Sequence, residues 1–173
     1  MGIVKILHLE GIQYYINIWL VNRVFVGTSP RWFGVKRWLL NQLRTINIGE
    51  NTKVVAPIFC TAKLSIGDNC WVGKNFTVNG NGSVEISDNC DIAPDVIINT
   101  GGHKVGCASR RAGEGVITHA KIGKGCWLCA RSTIVNNVTI GDGCVVLPCS
   151  CVIGDVPSNA MVGGVPAKVV KML

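Results

Sequence analysis

Three histidines are the first candidates for chemistry, because an imidazole titrates near neutral pH and its neutral form is a base. They are His8, His103 and His119. His103 follows Thr100-Gly101-Gly102, in a segment that interrupts a regular repeat and where a side chain can enter a cleft. We therefore expect His103 to act as a general base for a poor nucleophile such as a hydroxyl. His8 lies outside the repeat, and His119 is expected at a surface corner.

Nine cysteines are the second candidates, and their odd number argues against a complete set of disulfides. Cys126-Trp127-Leu128-Cys129 has the spacing of a redox or metal motif, but no second pair accompanies it. We favour a structural interpretation, in which the cysteines are small buried residues in the reducing cytoplasm.

A six-residue repeat occupies most of the chain and must position these residues. Fifteen of its sixteen first positions are Ile, Leu or Val. The sixteen are Ile48, Val54, Cys60, Ile66, Val72, Val78, Ile86, Ile92, Ile98, Val116, Ile122, Leu128, Ile134, Ile140, Val146 and Val152. This period fits a short strand followed by a corner, and three such units close one coil. Stacked coils would pair strands in parallel about 4.8 Å apart, which predicts an all-β core built as a parallel β-helix.

The other repeat positions support the same fold. Polar or turn-forming pairs such as Asp68-Asn69 and Asp88-Asn89 suit corners that need left-handed backbone. The fifth position is small or apolar and takes four of the cysteines. Two irregularities stand out, a two-residue slip placed at Val84-Glu85 and a poor match over residues 99–115. The second is expected to be a loop that leaves the β-helix.

Residues 1–46 lack the repeat and are treated as an N-terminal helical segment, separate from the β-helix of residues 47–173. This segment carries +5 of the total formal charge of +7 and several aromatic residues. We expect amphipathic helices over about 12–26 and 31–44, with Ser29 capping the second and Pro30 at its first position. The segment either caps the first coil or makes a peripheral contact with an anionic membrane through residues 1–44, and capping is favoured.

Several other classes are disfavoured. No apolar stretch is long enough for a membrane-spanning helix, and no signal peptide is evident. The basic residues form no dense run, so we expect no nucleic-acid partner. We therefore predict a cytoplasmic protein. Separately, the C-terminal segment around Lys168 and Lys171 is expected to form a last strand or a helical turn.

Four motifs together resemble a known family. They are His103 with Arg110-Arg111-Ala112-Gly113, Ile122-Gly123-Lys124-Gly125-Cys126-Trp127, Val138-Thr139-Ile140-Gly141-Asp142, and Val162-Gly163-Gly164-Val165-Pro166-Ala167-Lys168. Over about residues 46–173 the chain resembles the hexapeptide-repeat sugar O-acetyltransferases. These include the maltose and galactoside acetyltransferases and, more closely, the acetyltransferases of bacterial surface-polysaccharide clusters. The resemblance implies a left-handed β-helix, a homotrimer with active sites between subunits, acetyl-CoA as acyl donor, and no metal.

The resemblance also implies roles for particular residues. His103 matches the catalytic base of the family. Acceptor-binding positions match Asn79, Glu85, Arg110 and Trp127. Coenzyme-binding positions match Trp127, Ala130, Pro148, Lys168 and Lys171. The expected reaction moves an acetyl group to a sugar hydroxyl of a surface glycan or its precursor.

Some residues depart from the family pattern along the expected coenzyme groove. Cys129 stands at a usual glycine, Asn136-Asn137 at a usual Pro-Gly corner, and Leu147-Pro148-Cys149-Ser150 at a usual Gly-Ala-Gly-Ser. Other functions on the same fold stay open. They are N-acetylation of a nucleotide-linked amino sugar, serine acetylation and a non-catalytic scaffold. A zinc carbonic anhydrase is disfavoured, because it needs three histidine ligands and the repeat region holds two.

Overall fold

The computed structural model describes the backbone of residues 2–173 and the side chains of residues 11–173. Helix α1 spans Gly2–Trp19 and continues as a π-helical turn over Leu20–Val24, and helix α2 spans Pro30–Asn41. Ser29 and Pro30 take the predicted positions, although the Ser29 side chain makes no capping hydrogen bond. Helix α2 ends at Asn41, before the predicted residue 44, because the Asn41 side chain bonds the backbone of Ile48. Its amide oxygen accepts from the Ile48 N–H at 2.7 Å, and its amide nitrogen donates to the Ile48 carbonyl at 2.9 Å.

The remainder of the chain is made of short strands. The first nine are β1 (Ile46–Ile48), β2 (Lys53–Val54), β3 (Ile58–Cys60), β4 (Lys63–Ile66), β5 (Trp71–Val72), β6 (Phe76–Gly80), β7 (Ser83–Ile86), β8 (Asp91–Ile92) and β9 (Ile97–Val105). The next nine are β10 (Ala112–Ile117), β11 (His119–Ile122), β12 (Trp127–Leu128), β13 (Thr133–Val135), β14 (Val138–Ile140), β15 (Val145–Val146), β16 (Cys151–Val152), β17 (Ala160–Gly164) and β18 (Ala167–Met172).

These strands form the three faces of a parallel β-helix. The five-stranded sheet has the order β1-β4-β7-β11-β14. The six-stranded sheet has the order β3-β6-β9-β13-β16, with β10 added to β9, and the seven-stranded sheet has the order β2-β5-β8-β12-β15-β17-β18. Each strand pairs in parallel with its counterpart one coil away, except for the antiparallel pairs β9-β10 and β17-β18. The predicted β-helix with an N-terminal helical segment is confirmed.

The repeat aliphatics fill the interior, with one exception. The first-position residues from Ile48 to Val152 are at most 3% exposed, apart from Val116. Val116 was assigned to the repeat, but it lies in β10 outside the β-helix and is only half-buried. The first position that follows Ile98 in the β-helix is instead Ile122 of β11, which pairs with Ile86 and is 1% exposed.

The two-residue slip also lies elsewhere than predicted. Val84 and Glu85 belong to β7, and the extra residues form the preceding corner at 80–82. Gly80 has a φ of +107°, and a Cβ on Gly82 would lie 1.9 Å from the Thr118 carbonyl oxygen. The enlarged corner therefore requires glycine, because it passes directly against the chain that returns to β11.

Asparagine corners are confirmed. Asn51, Asn69, Asn89 and Asn159 occupy one corner with φ between 56° and 59°, and Gly125 and Gly143 take the two coils between Asn89 and Asn159 with φ of 64° and 67°. The next corner has Asn75, Asp95, Arg131 and Cys149 at φ between 58° and 63°. Arg131 and Cys149 hold a left-handed backbone that favours Gly or Asn, which places local strain beside Ala130 and Pro148.

The fifth-position cysteines line one inner corner of the β-helix. Cys70, Cys90, Cys126 and Cys144 are at most 2% exposed, and all are free thiols. Each Sγ lies 3.0–3.2 Å from a corner carbonyl in the following coil. The structural interpretation of these cysteines is therefore confirmed, and each thiol donates a hydrogen bond to that carbonyl.

The helical segment covers the open end of the first coil. Val21, Leu39, Leu40 and Leu43 are buried in the same hydrophobic cluster as β1. The Asn22 amide bonds both backbone groups of Ile58 in edge strand β3, at 2.8 and 2.9 Å, as Asn41 does for β1. Capping therefore satisfies backbone groups that an edge strand would otherwise expose. Among residues 2–173 no helix is long and apolar enough to cross a membrane.

Candidate active site

Residues 101–117 leave the β-helix as a β-hairpin, close to the loop predicted over residues 99–115. Strand β9 extends past Thr100 and pairs with β10, with Gly102 opposite Val116 and His103 opposite Gly115. Buried Thr100 anchors the hairpin at its base. Its hydroxyl donates to the Asn79 carbonyl at 2.9 Å and accepts from the Gly82 N–H at 3.1 Å.

His103 is exposed on this hairpin and is held by one hydrogen bond. Its Nδ1 lies 2.9 Å from the carbonyl oxygen of Gly113. A carbonyl can only accept, so this bond assigns the ring proton to Nδ1 and leaves Nε2 unprotonated in the neutral ring. The geometry therefore exposes an unprotonated Nε2 to solvent, where it can accept a proton.

A register shift in β10 between Ala112 and Gly115 brings the Gly113 carbonyl to this position. Gly113 packs closely inside the hairpin, since an added Cβ would lie 3.0 Å from the Lys104 carbonyl oxygen and 3.1 Å from the Gly106 Cα. The residue that orients His103 was not identified from the sequence. The orienting group is a backbone carbonyl, which every residue carries. The sequence therefore shows that residue 113 is a glycine but does not reveal that its carbonyl bonds His103.

Asn79 lies on β6, and its amide donates to Asn99 Oδ1 at 3.1 Å. Asn99 is the register partner of Asn79 one coil further on, and it precedes His103 on the same strand. The sequence analysis did not identify Asn99 as a candidate site residue. Its position in the repeat places it opposite Asn79 on the next coil, so the pairing could have been predicted. The two amides form a polar surface at the base of the hairpin, and it can bind hydroxyl groups.

Arg110 lies at the tip of the hairpin, where its N–H donates to the Cys107 carbonyl at 3.1 Å and its side chain is exposed. At the same tip a hydrogen bond with the Ser109 hydroxyl lowers the pKa of the exposed Cys107 thiol. An exposed ion pair, Lys104–Glu114 at 2.6 Å, joins the two hairpin strands. Such pairs contribute little stability, so the hairpin depends on its backbone ladder.

Glu85 is placed apart from these residues. It lies on the outer face of the five-stranded sheet, where its carboxylate is 3.7 Å from the Lys121 ammonium group. Asn79 and His103 belong to the six-stranded sheet and its hairpin. Within one chain the structure therefore does not bring Glu85 to the hairpin.

Trp127, Ala130 and Pro148 lie on and beside the seven-stranded sheet. Trp127 is 53% exposed on β12, so its ring points outward. Ala130 and Pro148 occupy successive coils of the strained corner, where the Ala130 carbonyl accepts from the Cys149 N–H at 3.0 Å. Of the departures from the family pattern, Cys129 is buried, whereas Cys149 is exposed on this corner.

Lys168 and Lys171 lie on β18, which confirms a last strand at this end of the β-helix. Three residues apart, they would face opposite sides of a regular strand. A bulge changes this, because Lys168 pairs with Gly163 and Lys171 with Met161, two residues apart on β17. Both lysines therefore lie on the same face of the sheet as Met161. In register, this face continues from Met161 through Val145 to Trp127.

Among residues 11–173, His103 and His119 are the only histidines, so the described side chains offer no third histidine ligand for a zinc centre. His119 lies in β11 rather than at a corner, with Nδ1 2.8 Å from the Ser83 hydroxyl on the five-stranded sheet. Over the described residues, no group of three or more His, Cys, Asp or Glu side chains is arranged to hold a metal ion.

Comparison with known proteins gives a consistent set of relatives. A family model described as bacterial transferase hexapeptide (six repeats) matches residues 119–155. Galactoside O-acetyltransferase of Escherichia coli is 35% identical over 130 residues, covering 72% of this chain and 62% of that protein. The Escherichia coli protein named colanic acid biosynthesis acetyltransferase WcaF is 30% identical over 158 residues, covering 88% and 84%. The chain spans less than two thirds of the galactoside enzyme and 64% of a Saccharomyces cerevisiae relative.

Solved structures share the fold. A galactoside acetyltransferase in complex with coenzyme A superposes with a TM-score of 0.76 at 25% identity, covering 99% of this chain and 84% of that one. A hexapeptide-repeat acetyltransferase from Vibrio cholerae, complexed with acetyl coenzyme A, gives 0.79 at 23% identity, covering 100% and 92%. Since the match to WcaF extends over most of both proteins, the chain belongs to the hexapeptide-repeat acetyltransferase family.

Proposed function

We propose that this protein is an acetyl-CoA-dependent O-acetyltransferase that modifies a sugar hydroxyl in a surface polysaccharide or its precursor. The observation that supports this most directly is the 2.9 Å bond between His103 Nδ1 and the Gly113 carbonyl. It leaves Nε2 as an available base on an exposed hairpin. Relatives named galactoside O-acetyltransferase and colanic acid biosynthesis acetyltransferase support a sugar as the acceptor.

In the proposed reaction, His103 moves a proton between the two reactants. The thioester of acetyl-CoA supplies the acetyl group and a thiolate leaving group. Nε2 accepts the hydroxyl proton as the sugar oxygen forms its bond to the acetyl carbon. The Gly113 carbonyl stabilises the Nδ1–H of the resulting imidazolium. Nε2 then returns the proton to the departing sulfur, so His103 ends the cycle neutral.

The seven-stranded sheet and its strained corner fit a coenzyme. The bulge in β18 puts Lys168 and Lys171 on one face, where two ammonium groups suit the coenzyme phosphates. Trp127 lies further along that face, and Ala130 and Pro148 line the adjacent corner. We propose that the phosphates lie near the lysines and that the pantetheine arm follows the corner.

We propose Asn79, Arg110 and Glu85 as acceptor contacts, together with Asn99. Because Glu85 and Trp127 lie on different sheets from the hairpin, one chain does not assemble all of these groups. In a homotrimer, the hairpin of each subunit would face the next subunit, which would bring Glu85 and Trp127 of one subunit near the hairpin of another. Sedimentation velocity tests this state directly, and a monomer with full activity would rule it out.

The decisive experiment measures coenzyme A thiol release from acetyl-CoA across a panel of sugar acceptors. His103→Ala should lose 10²–10⁴-fold in turnover, which is about the usual contribution of a general base. His119→Ala is the matched control, because that histidine lies on another sheet. No turnover by the wild type, or full activity of His103→Ala, would disprove the proposed function.

A further inference from the structure

We infer that the seven-stranded sheet carries an oligosaccharide-binding groove that runs from helix α2 to Trp127, so that the acceptor is a chain of several sugars. The inference rests on the proposed function, because it names the class of acceptor. The groove lies apart from His103, which lines neither of the cavities that form it.

Two neighbouring cavities make up the groove. The first, of about 650 Å³, lies between α2 and the first coils. It is lined by Pro30, Phe33, Gly34, Arg37, Asn51, Thr52, Lys53, Asn69, Cys70, Trp71 and Asp91. The second, of about 490 Å³, is lined by Trp71, Asp91, Ile92, Ala93, Pro94 and Trp127. Trp71 and Asp91 belong to both, so the two cavities are continuous, and each is of the size that small ligands occupy.

Two indole rings flank a carboxylate along this groove. Trp71, Asp91 and Trp127 are direct register partners on three successive coils. The two tryptophans are therefore about 10 Å apart, twice the strand spacing, which is roughly the length of two hexose units. They are 37% and 53% exposed. A flat ring outside the core suits the apolar C–H face of a pyranose.

Asp91 supplies the polar contact between the rings. Its carboxylate has no ion pair or hydrogen-bond partner within the part of the chain that the structure describes. A free carboxylate between two aromatic platforms can accept two hydroxyl hydrogen bonds from one sugar. This arrangement suits a carbohydrate better than an apolar partner, which would cover the exposed Asp91 carboxylate without offering it a hydrogen bond.

The end of the groove beneath α2 is basic. Lys53 is exposed there, and Arg37 uses one guanidinium nitrogen to donate to the Gly49 carbonyl at 3.2 Å, which leaves its other donors available. Asn51 and Asn69, joined at 3.3 Å, add amide groups at the same end. Two cations beside amides favour an acidic sugar, such as a uronic acid, at this position.

The groove and the proposed coenzyme site share only Trp127. Trp127, Val145, Met161 and Lys171 follow one another in register towards the C-terminal coil. Asp91 and Trp71 continue the same line towards α2. A long acceptor would therefore lie on the opposite side of Trp127 from the coenzyme phosphates.

Binding is measured by calorimetry on the full chain without acetyl-CoA, with a hyaluronan hexasaccharide as the acidic probe and maltohexaose as the neutral one. The acidic probe should bind more tightly to the wild type. Trp71→Ala and Asp91→Asn should each raise its dissociation constant about tenfold, the effect of losing one dominant contact. Trp38→Ala is the matched control, because Trp38 is 62% exposed on α2 and lines neither cavity.

Asp91→Asn guards against a folding artefact, since Trp71 also contacts Phe33, with ring centroids 5.8 Å apart. The groove is disproved if the wild type binds neither probe, if both variants bind like the wild type, or if Trp38→Ala loses as much affinity. It is also disproved if Trp71→Ala alters only the oligomeric state in sedimentation, which would make this face an interface between copies. If the oligosaccharide binds in a Trp71-dependent way but no acetyl transfer occurs, the groove is supported and the proposed function is disproved. If acetyl transfer occurs without such binding, the proposed function is supported and the groove is disproved.

Discussion

The substitution Gly113→Ala tests whether the hairpin backbone orients the catalytic base. An alanine Cβ would approach the Lys104 carbonyl oxygen to 3.0 Å and the Gly106 Cα to 3.1 Å, so the hairpin must shift by a few tenths of an ångström. Both neighbours are backbone and cannot rotate away. The shift displaces the Gly113 carbonyl, which sits 2.9 Å from His103 Nδ1.

The expected cost follows from that one bond. A typical hydrogen bond contributes about 0.5–1.5 kcal/mol net, and each 1.36 kcal/mol changes a rate about tenfold. We therefore expect kcat to fall about fivefold in Gly113→Ala. The loss should be far smaller than in His103→Ala, because the imidazole remains present and is only misoriented.

Gly115→Ala is the matched control, since a Cβ there meets no atom within 4 Å. The assay is thiol release at saturating acetyl-CoA, with a melting curve for each variant. Wild-type kcat in Gly113→Ala would refute the orienting role of the carbonyl. An equal loss of kcat in Gly115→Ala would show that the hairpin responds to any added methyl group.

Three further predictions concern the corner, a buried lysine and the helical segment. Cys149→Gly removes left-handed strain at φ 58° and should stabilise the fold by about 1 kcal/mol, or raise Tm by about 3 °C, whereas Cys151→Gly in strand β16 should lower Tm. Burial lowers the pKa of Lys36 to about 8 from 10.5, so the unfolded chain binds more protons between these pH values and stability should rise with pH there. Because each pKa unit is worth about 1.36 kcal/mol, the rise should reach about 3 kcal/mol, and urea unfolding of Lys36→Met should lack it. Contact with a membrane through residues 1–44 stays a prediction, supported by the outward-facing Tyr15, Trp19 and Arg23. Trp19→Ser should reduce co-sedimentation with anionic vesicles but not with neutral ones, and equal binding would leave capping as the only role of the segment.

Most of the β-helix was readable from the sequence, because each coil repeats one local rule. An inward aliphatic such as Ile66 and a left-handed Asn69 recur with the same physical cause at every turn. The errors arose where a residue satisfied the pattern by chance. Val116 had the right type and spacing, but its strand pairs with β9 outside the β-helix, and spacing alone cannot reveal that pairing.

The candidate site was less predictable, because its geometry depends on backbone irregularities. His103 was identified from its glycine-rich approach, but the Gly113 carbonyl that orients it comes from a register shift in β10. The common face of Lys168 and Lys171 likewise depends on a bulge opposite β17. Such bulges arise from pairing between distant strands and carry no local sequence signal.

The β-helix can hold His103 this precisely because the hairpin is inserted without breaking any sheet. Strand β7 still pairs directly with β11, as Val84 with Ala120, although an additional coil's length of chain lies between them. Strand β9 is held by neighbours on both sides as far as Asn99, which pairs with Asn79 and Val135. His103 therefore projects only four residues beyond a fully paired strand. A side chain on such a rigid support needs few contacts of its own, and this explains why a single backbone carbonyl is enough to orient the His103 ring.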